Sequence, residues 1–326
     1  MRYRTPLLLT LFVLASAGVR AQGCSDAGAC TAGPIGQLQL WTDSVPDQGW
    51  YDHNARAAFS YAIGEQGTII TQVMPELNIG FTRRFAVQLK VPYIWVHGDL
   101  GDNSGIGDLF VTSSYAFVNK TDQTLSGVVG MRLPTGEDNA TVVSPMDAFT
   151  PTRSLPMPYQ TGLGTADLIV GVSWRHKRYV AALAYQQVLT QDGNDNEFTH
   201  QAWNNEAPAV NYFESYNLRR GNDLVVRAQY AYGCGRLSLQ PGLLAIYHLQ
   251  DDSRLNDQIR TSQYPERIIL TGSKGLTLNV TVDLRFKLAD QWALEASFGA
   301  PVIAREVRPD GLTRENVTAF GIQYRF

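Results

Sequence analysis

The chain has 326 residues, with 27 basic and 30 acidic side chains, five His and three Cys. This balance offers no basic stripe for nucleic acid, and after the N-terminus no segment reaches the ~20 consecutive apolar residues of a membrane helix. Gly at 29 and Tyr plus Phe at 28 suit a barrel wall that alternates apolar and polar faces.

The chain opens MRYRTPLLLTLFVLASAGVRAQG. Arg2 and Arg4 precede an apolar run from Leu7 to Val19, and Val19 and Ala21 occupy positions −3 and −1 of a cleavage site before Gln22. The run is too short for a retained membrane helix. A lipoprotein site at Cys24 is the weaker alternative, since Gly23 suits one but Ala21 and Gln22 do not. Residues 1–21 are therefore read as a cleaved signal peptide, which leaves 24 basic against 30 acidic side chains. Residues 22–54 form an N-terminal segment ahead of the first strand, expected in the periplasm. Within it Cys24 and Cys30 bracket five residues, the spacing of a small disulfide loop in an oxidising compartment. Cys234, in YGCGR, reads as a small residue in a tight turn.

From residue 55 to 326 the period is two. Twelve strand-like runs are expected, near 55–64, 68–81, 85–98, 105–118, 123–135, 161–175, 178–191, 218–232, 236–250, 273–287, 291–303 and 313–326. The clearest is LTLNVTVDLRF, in which Leu276, Leu278, Val280, Val282, Leu284 and Phe286 share one face and Thr277, Asn279, Thr281, Asp283 and Arg285 the other. The connections alternate in length. Short turns fall at 82–84, 119–122, 176–177, 233–235 and 289–291, and loops at 136–160, 192–217 and 251–272. Short periplasmic turns against long outer loops distinguish a membrane barrel from a soluble sandwich, and an even strand number fits a single-chain bacterial barrel. The reading is an all-β, transmembrane, antiparallel up-and-down barrel in the bacterial outer membrane, with the loops exposed outside.

Aromatic residues near the strand ends, such as Trp95, Tyr115, Trp174, Tyr230 and Trp292, suit girdles at headgroup depth. The chain ends AFGIQYRF, with Phe320, Ile322, Tyr324 and Phe326 on one face. That terminal strand is expected to present Phe326 to the barrel assembly machinery, and the outward face to meet outer-membrane lipid.

The phases send Glu76, Lys90, Asp108, Arg132, Asp167, Asp223, Arg227, Asp283, Arg285 and Glu295 inward. Three of these recur in register. GIGDLFVTSSYAF, GTADLIVGVSWRH and GNDLVVRAQYAYG each place an Asp (108, 167, 223) shortly after a Gly on alternate strands. They form either an acidic ring at the outer mouth, favouring cations, or a structural motif that pins loops to the strand ends. Repetition at one strand position favours the structural role.

The same Gly-to-Asp strand starts, the stretch VVGMRLPTGE at 128–137 and the terminal YRF resemble the outer-membrane transporter family named for the phenol meta-degradation pathway. That family is similar in turn to fatty-acid and aromatic-hydrocarbon channels. The resemblance implies passive uptake of small, hydrophobic or aromatic molecules without a cofactor, and it carries no solute-binding residue onto this chain. The alternatives are a structural or adhesive barrel acting through its loops, and a barrel hydrolase, for which His97 and His200 lie on the outer side.

Overall fold

The computed structural model describes residues 53–143, 152–256 and 266–326, together with the short strand Gly23–Cys24. Cys30 lies outside the described residues, so the Cys24–Cys30 pairing does too. The signal segment 1–21 and most of 22–52 also lie outside them. Gly23–Cys24 pairs with Thr313–Arg314. Cys234 carries a free, exposed thiol.

Twelve antiparallel strands close into a barrel. They are β1 (Asn54–Ile63), β2 (Ile69–Gly80), β3 (Phe85–Lys90 and Tyr93–Gly98), β4 (Gly101–Ile106 and Leu109–Lys120), β5 (Gln123–Leu133) and β6 (Asp167–His176). There follow β7 (Tyr179–Val188), β8 (Asp223–Tyr230 and Tyr232–Cys234), β9 (Leu237–His248), β10 (Gly275–Lys287), β11 (Trp292–Ile303) and β12 (Asn316–Arg325). Each pairs with the next, and β12 pairs with β1 from Arg325↔Asn54 to Asn316↔Ile63, which removes the sheet edges. β3 breaks at Val91 and Pro92, where proline has no N–H for the ladder. Opposite it β4 breaks at Gly107 and Asp108, and Gly107 N–H donates to the Pro92 carbonyl (2.8 Å).

The period of two explains the wall. On β10 and β9 the side chains of Val280, Leu284, Phe286, Leu243 and Tyr247 point out and are exposed, while Asn279, Asp283, Gln240 and His248 point in and are buried. In a bilayer the outward set meets lipid tails. The rings of Trp292 and Tyr324 lie 4.6 Å apart, tilted, and Tyr179 and Tyr230 meet at 5.3 Å, both at the short-turn end. This end carries an aromatic girdle, as the sequence suggests. The C-terminal strand closes the wall there, with Phe326 N–H donating to the His53 carbonyl.

The strand count agrees with the periodicity. The boundaries differ at the loop end, where residues 161–166, 189–191 and 218–222 leave the ladder. Loops expected to be solvated are instead substantially inserted. Leu155, Tyr159, Phe198, Ala209 and Leu218 are all buried.

Candidate functional site

Among the described residues the lumen has three layers. The first is a lid over the loop end. Leu155, Tyr159, Phe198, Trp203 and Tyr212 come from the loops after β5 and β7. They pack against inward residues of the wall: Ala62, Ile70, Ile94, Val96 and Val317. Burying such aromatic and aliphatic side chains stabilises the insertion by ~1.5–3 kcal/mol each. Two buried asparagines stitch the loops together. Asn194 donates to the Leu163 carbonyl (3.0 Å) and accepts from Leu218 N–H (3.0 Å). Asn196 donates to the Leu155 carbonyl (3.0 Å) and accepts from Ser215 Oγ (2.6 Å). Trp203 Nε1 donates to the Ser154 carbonyl (2.8 Å). Tyr159 Oη accepts from Leu100 N–H and lies 3.1 Å from Tyr212 Oη, which meets Thr68 Oγ1 at the same distance.

At the base of the first of these loops Gly136 and Gly162 touch. A Cβ on Gly136 would lie 2.7 Å from the backbone of Gly162, so no larger residue fits without parting the strands of the loop.

The second layer is a belt of alternating charge beneath the lid. It contains all three repeated aspartates. Asp108 accepts from Gly136 N–H (3.2 Å) and Leu163 N–H (3.0 Å) and lies 3.7 Å from Arg132 Nε. Arg132 Nη2 bonds Asp167 at 2.5 Å. Gln186 also donates to Asp167, and Arg220 approaches it at 3.6 Å. Arg220 lies 3.8 Å from Asp223. His248 then bridges Asp223 and Asp252, at 2.7 Å from each. Arg305 approaches Asp252 at 3.8 Å and bonds Asp310 at 2.7 Å. The belt therefore runs from β4 to the loop after β11. Asp108 thus pins loop backbone, Asp167 pairs with Arg132, and Asp223 pairs with His248.

Arg220 and Asp252 carry no periodic signal, because they sit in loops. Arg305 and Asp310 lie in the loop after β11, where burial alone would raise the Asp310 carboxyl. The Arg305 and Arg220 guanidiniums and His248 outweigh that and hold it well below the usual carboxylate range. Arg220 is fully buried with no directed hydrogen bond to any of its three nitrogens, so its contacts are charge against charge.

The third layer lies in the short-turn half. Arg56 on β1 bonds Glu76 on β2 and Glu295 on β11, the latter at 2.6 Å. Arg285 bonds Glu295 (2.8 Å), and Arg227 bonds Asp283 (2.7 Å). Lys90 faces Glu76 at 3.5 Å. Arg56, Glu76, Lys90, Asp283 and Glu295 border a cavity of about 80 Å³, lined also by Ser297 and Gln323. The inward residues read from the sequence thus divide between two layers. Asp108, Arg132, Asp167 and Asp223 join the belt, and Glu76, Lys90, Arg227, Asp283, Arg285 and Glu295 join the lower cluster. Arg56 belongs to the same phase, with Phe59 and Tyr61 outward, and was legible as an inward cation on β1.

His97 meets Asp102 in an exposed pair, and His200 Nε2 lies 2.8 Å from the Tyr212 carbonyl oxygen. The two residues considered for a hydrolase therefore sit in separate local contacts, one on the rim and one in the lid.

The turn between β1 and β2 carries a titratable tether. Glu65 bonds Arg308 of the loop after β11 at 3.0 Å. Burial pushes its carboxyl up to about 7, against the pull of Arg308. A raised acid stabilises the fold fully below the ordinary value near 4.5, and that contribution is lost as pH rises through about 7. The thermal midpoint of the refolded barrel should therefore carry a downward component between these values. Glu65→Gln should flatten that component in a pH series of melts, and an unchanged slope would show that Glu65 does not titrate in this window.

No family model matches the chain, and no curated protein matches it. Among solved structures it resembles an outer-membrane channel from Pseudomonas putida F1, at 15% identity and a TM-score of 0.54, over 88% of this chain and 100% of that one. The NanC porin aligns over 84% of this chain and 100% of its own length, at 12% identity and a TM-score of 0.41. The KdgM porin aligns over 84% and 99%, at 11% identity and a TM-score of 0.38. At these identities the likeness to the Pseudomonas channel is one of fold: this chain has the architecture of an outer-membrane barrel.

Proposed function

We propose that the protein is a passive outer-membrane channel for small molecules, exported by residues 1–21 and assembled through its C-terminal strand. Its short turns face the periplasm and its long loops the exterior. The observation that carries this reading is how the lumen is closed. The wall leaves a polar, charged interior with a cavity of about 80 Å³ in its lower half. The loop end is shut by inserted loop residues, not by the strands. A gate made of loops can move while the hydrogen-bonded wall stays intact.

The finer reading is uptake of small hydrophobic or aromatic molecules, in the manner of the phenol meta-degradation transporter family. The aromatic lid supports it, since Tyr159, Phe198, Trp203 and Tyr212 are the surfaces an entering solute must displace or slide past. Proteoliposome swelling tests the proposal. Refolded protein should admit small neutral solutes and phenol-sized aromatics but exclude oligosaccharides. Vesicles that admit none of these, with correctly folded protein in the membrane, would contradict it and favour a barrel that works through its surface loops.

A further inference from the structure

We infer that the lower lumen holds a subsite for the carboxylate of a small organic acid, anchored by Lys90 and Arg56 beside the cavity. This rests on the channel reading above and names a solute class for it. Seven charged side chains converge there from six strands. Arg56, Lys90, Arg227 and Arg285 stand there with Glu76, Asp283 and Glu295.

The carboxylates are already committed. Glu295 accepts from Arg56 (2.6 Å) and Arg285 (2.8 Å). Asp283 accepts from Arg227 (2.7 Å) and Gln229 (2.6 Å). Glu76 accepts from Arg56, and from Gln88 at 3.4 Å. Lys90 and Arg56 have capacity to spare. Lys90 is only 4% exposed, carries three donors, and meets Glu76 at 3.5 Å, beyond good hydrogen-bond length. Arg56 gives Nε and Nη1 to Glu295 and Glu76, and a guanidinium has five N–H donors in all.

An ammonium buried as deeply as that of Lys90, with only a long contact to Glu76, is costly until a further anion joins it. The place for that anion is at hand, because Arg56 and Lys90 both line the cavity of about 80 Å³. One water needs about 10–15 Å³ of such space, so there is room for an acid of a few carbon atoms. Gln323 also lines the cavity, and its side-chain oxygen has no partner. A bound carboxylate would turn that amide so that its N–H₂ faces the ligand. Small inorganic anions share this chemistry, so the test must separate them from organic acids.

The test is ligand-observed saturation-transfer NMR of propionate with the full-length barrel refolded in micelles, for wild type, Lys90→Gln, Lys90→Arg and Ser297→Leu. Wild type should show transfer, and Lys90→Arg should keep it. Lys90→Gln should weaken binding about tenfold, the worth of one charge-assisted contact. Ser297→Leu leaves every charge in place but fills the cavity, so it should abolish binding even if Lys90→Gln fails to refold. Equal transfer in wild type and Ser297→Leu, or none in wild type, would overturn the subsite. Complete displacement of propionate by an equal concentration of chloride would overturn the organic-acid assignment. Propionate binding by a barrel that passes no solute would contradict the channel reading and leave the subsite standing. Solute flux without propionate binding would do the reverse.

Discussion

Arg132→Met should cost about 3–5 kcal/mol of barrel stability, because removing one member of a buried charge network strands the others. Arg132 is 1% exposed and stands between Asp108 and Asp167, which are themselves buried. Its loss leaves two carboxylates in a low-dielectric wall. Asp108 keeps two backbone donors and Asp167 keeps Thr165, Gln186 and Arg220, so the strands should still assemble. The measurement is the guanidinium midpoint of the refolded protein, followed by tryptophan fluorescence. Adding Asp167→Asn to Arg132→Met should recover part of the loss, since it removes one of the stranded charges. A single mutant that unfolds at the wild-type midpoint would show that the belt contributes nothing to the fold.

Tyr159→Ala should open the loop end while sparing the wall. Tyr159 is fully buried in the lid, and large-to-small truncation there removes about 3–5 kcal/mol of packing. It also strands Leu100 N–H and breaks the line from Tyr159 through Tyr212 to Thr68. None of these residues belongs to the continuous ladder of β5 to β12. The expected result is higher single-channel conductance with an unchanged β-sheet circular dichroism spectrum. Gly136→Ala, which parts the loop base from Gly162, should act in the same direction. Unchanged conductance in both variants would place the rate-limiting constriction lower, in the Arg56 and Lys90 cluster.

The wall was legible in the sequence because alternation survives in every strand. Leu276 to Phe286 carries five pairs of it; of the inward residues on that strand Asn279, Thr281 and Asp283 are buried and Thr277 and Arg285 half-buried. The three Gly-to-Asp strand starts were legible as a repeat: Asp167 and Asp223 are the first residues of β6 and β8, and Asp108 stands at the break in β4. The lid was not legible. Residues 152–165 and 194–218 have no period, and their Asn, Pro and Ser content reads as a solvated loop. The buried Asn194 and Asn196 instead use that polarity to bond backbone inside the barrel. Arg220, Asp252 and Arg305 were missed for the same reason. A loop charge gives no phase, so only the closed barrel reveals that it faces the belt.

Single-channel recording of the refolded full-length protein in planar bilayers, wild type beside Tyr159→Ala, decides whether the lumen conducts through a loop gate. Wild type should show discrete conductance steps and the variant larger ones. A folded barrel that passes no current in either form would contradict the channel reading.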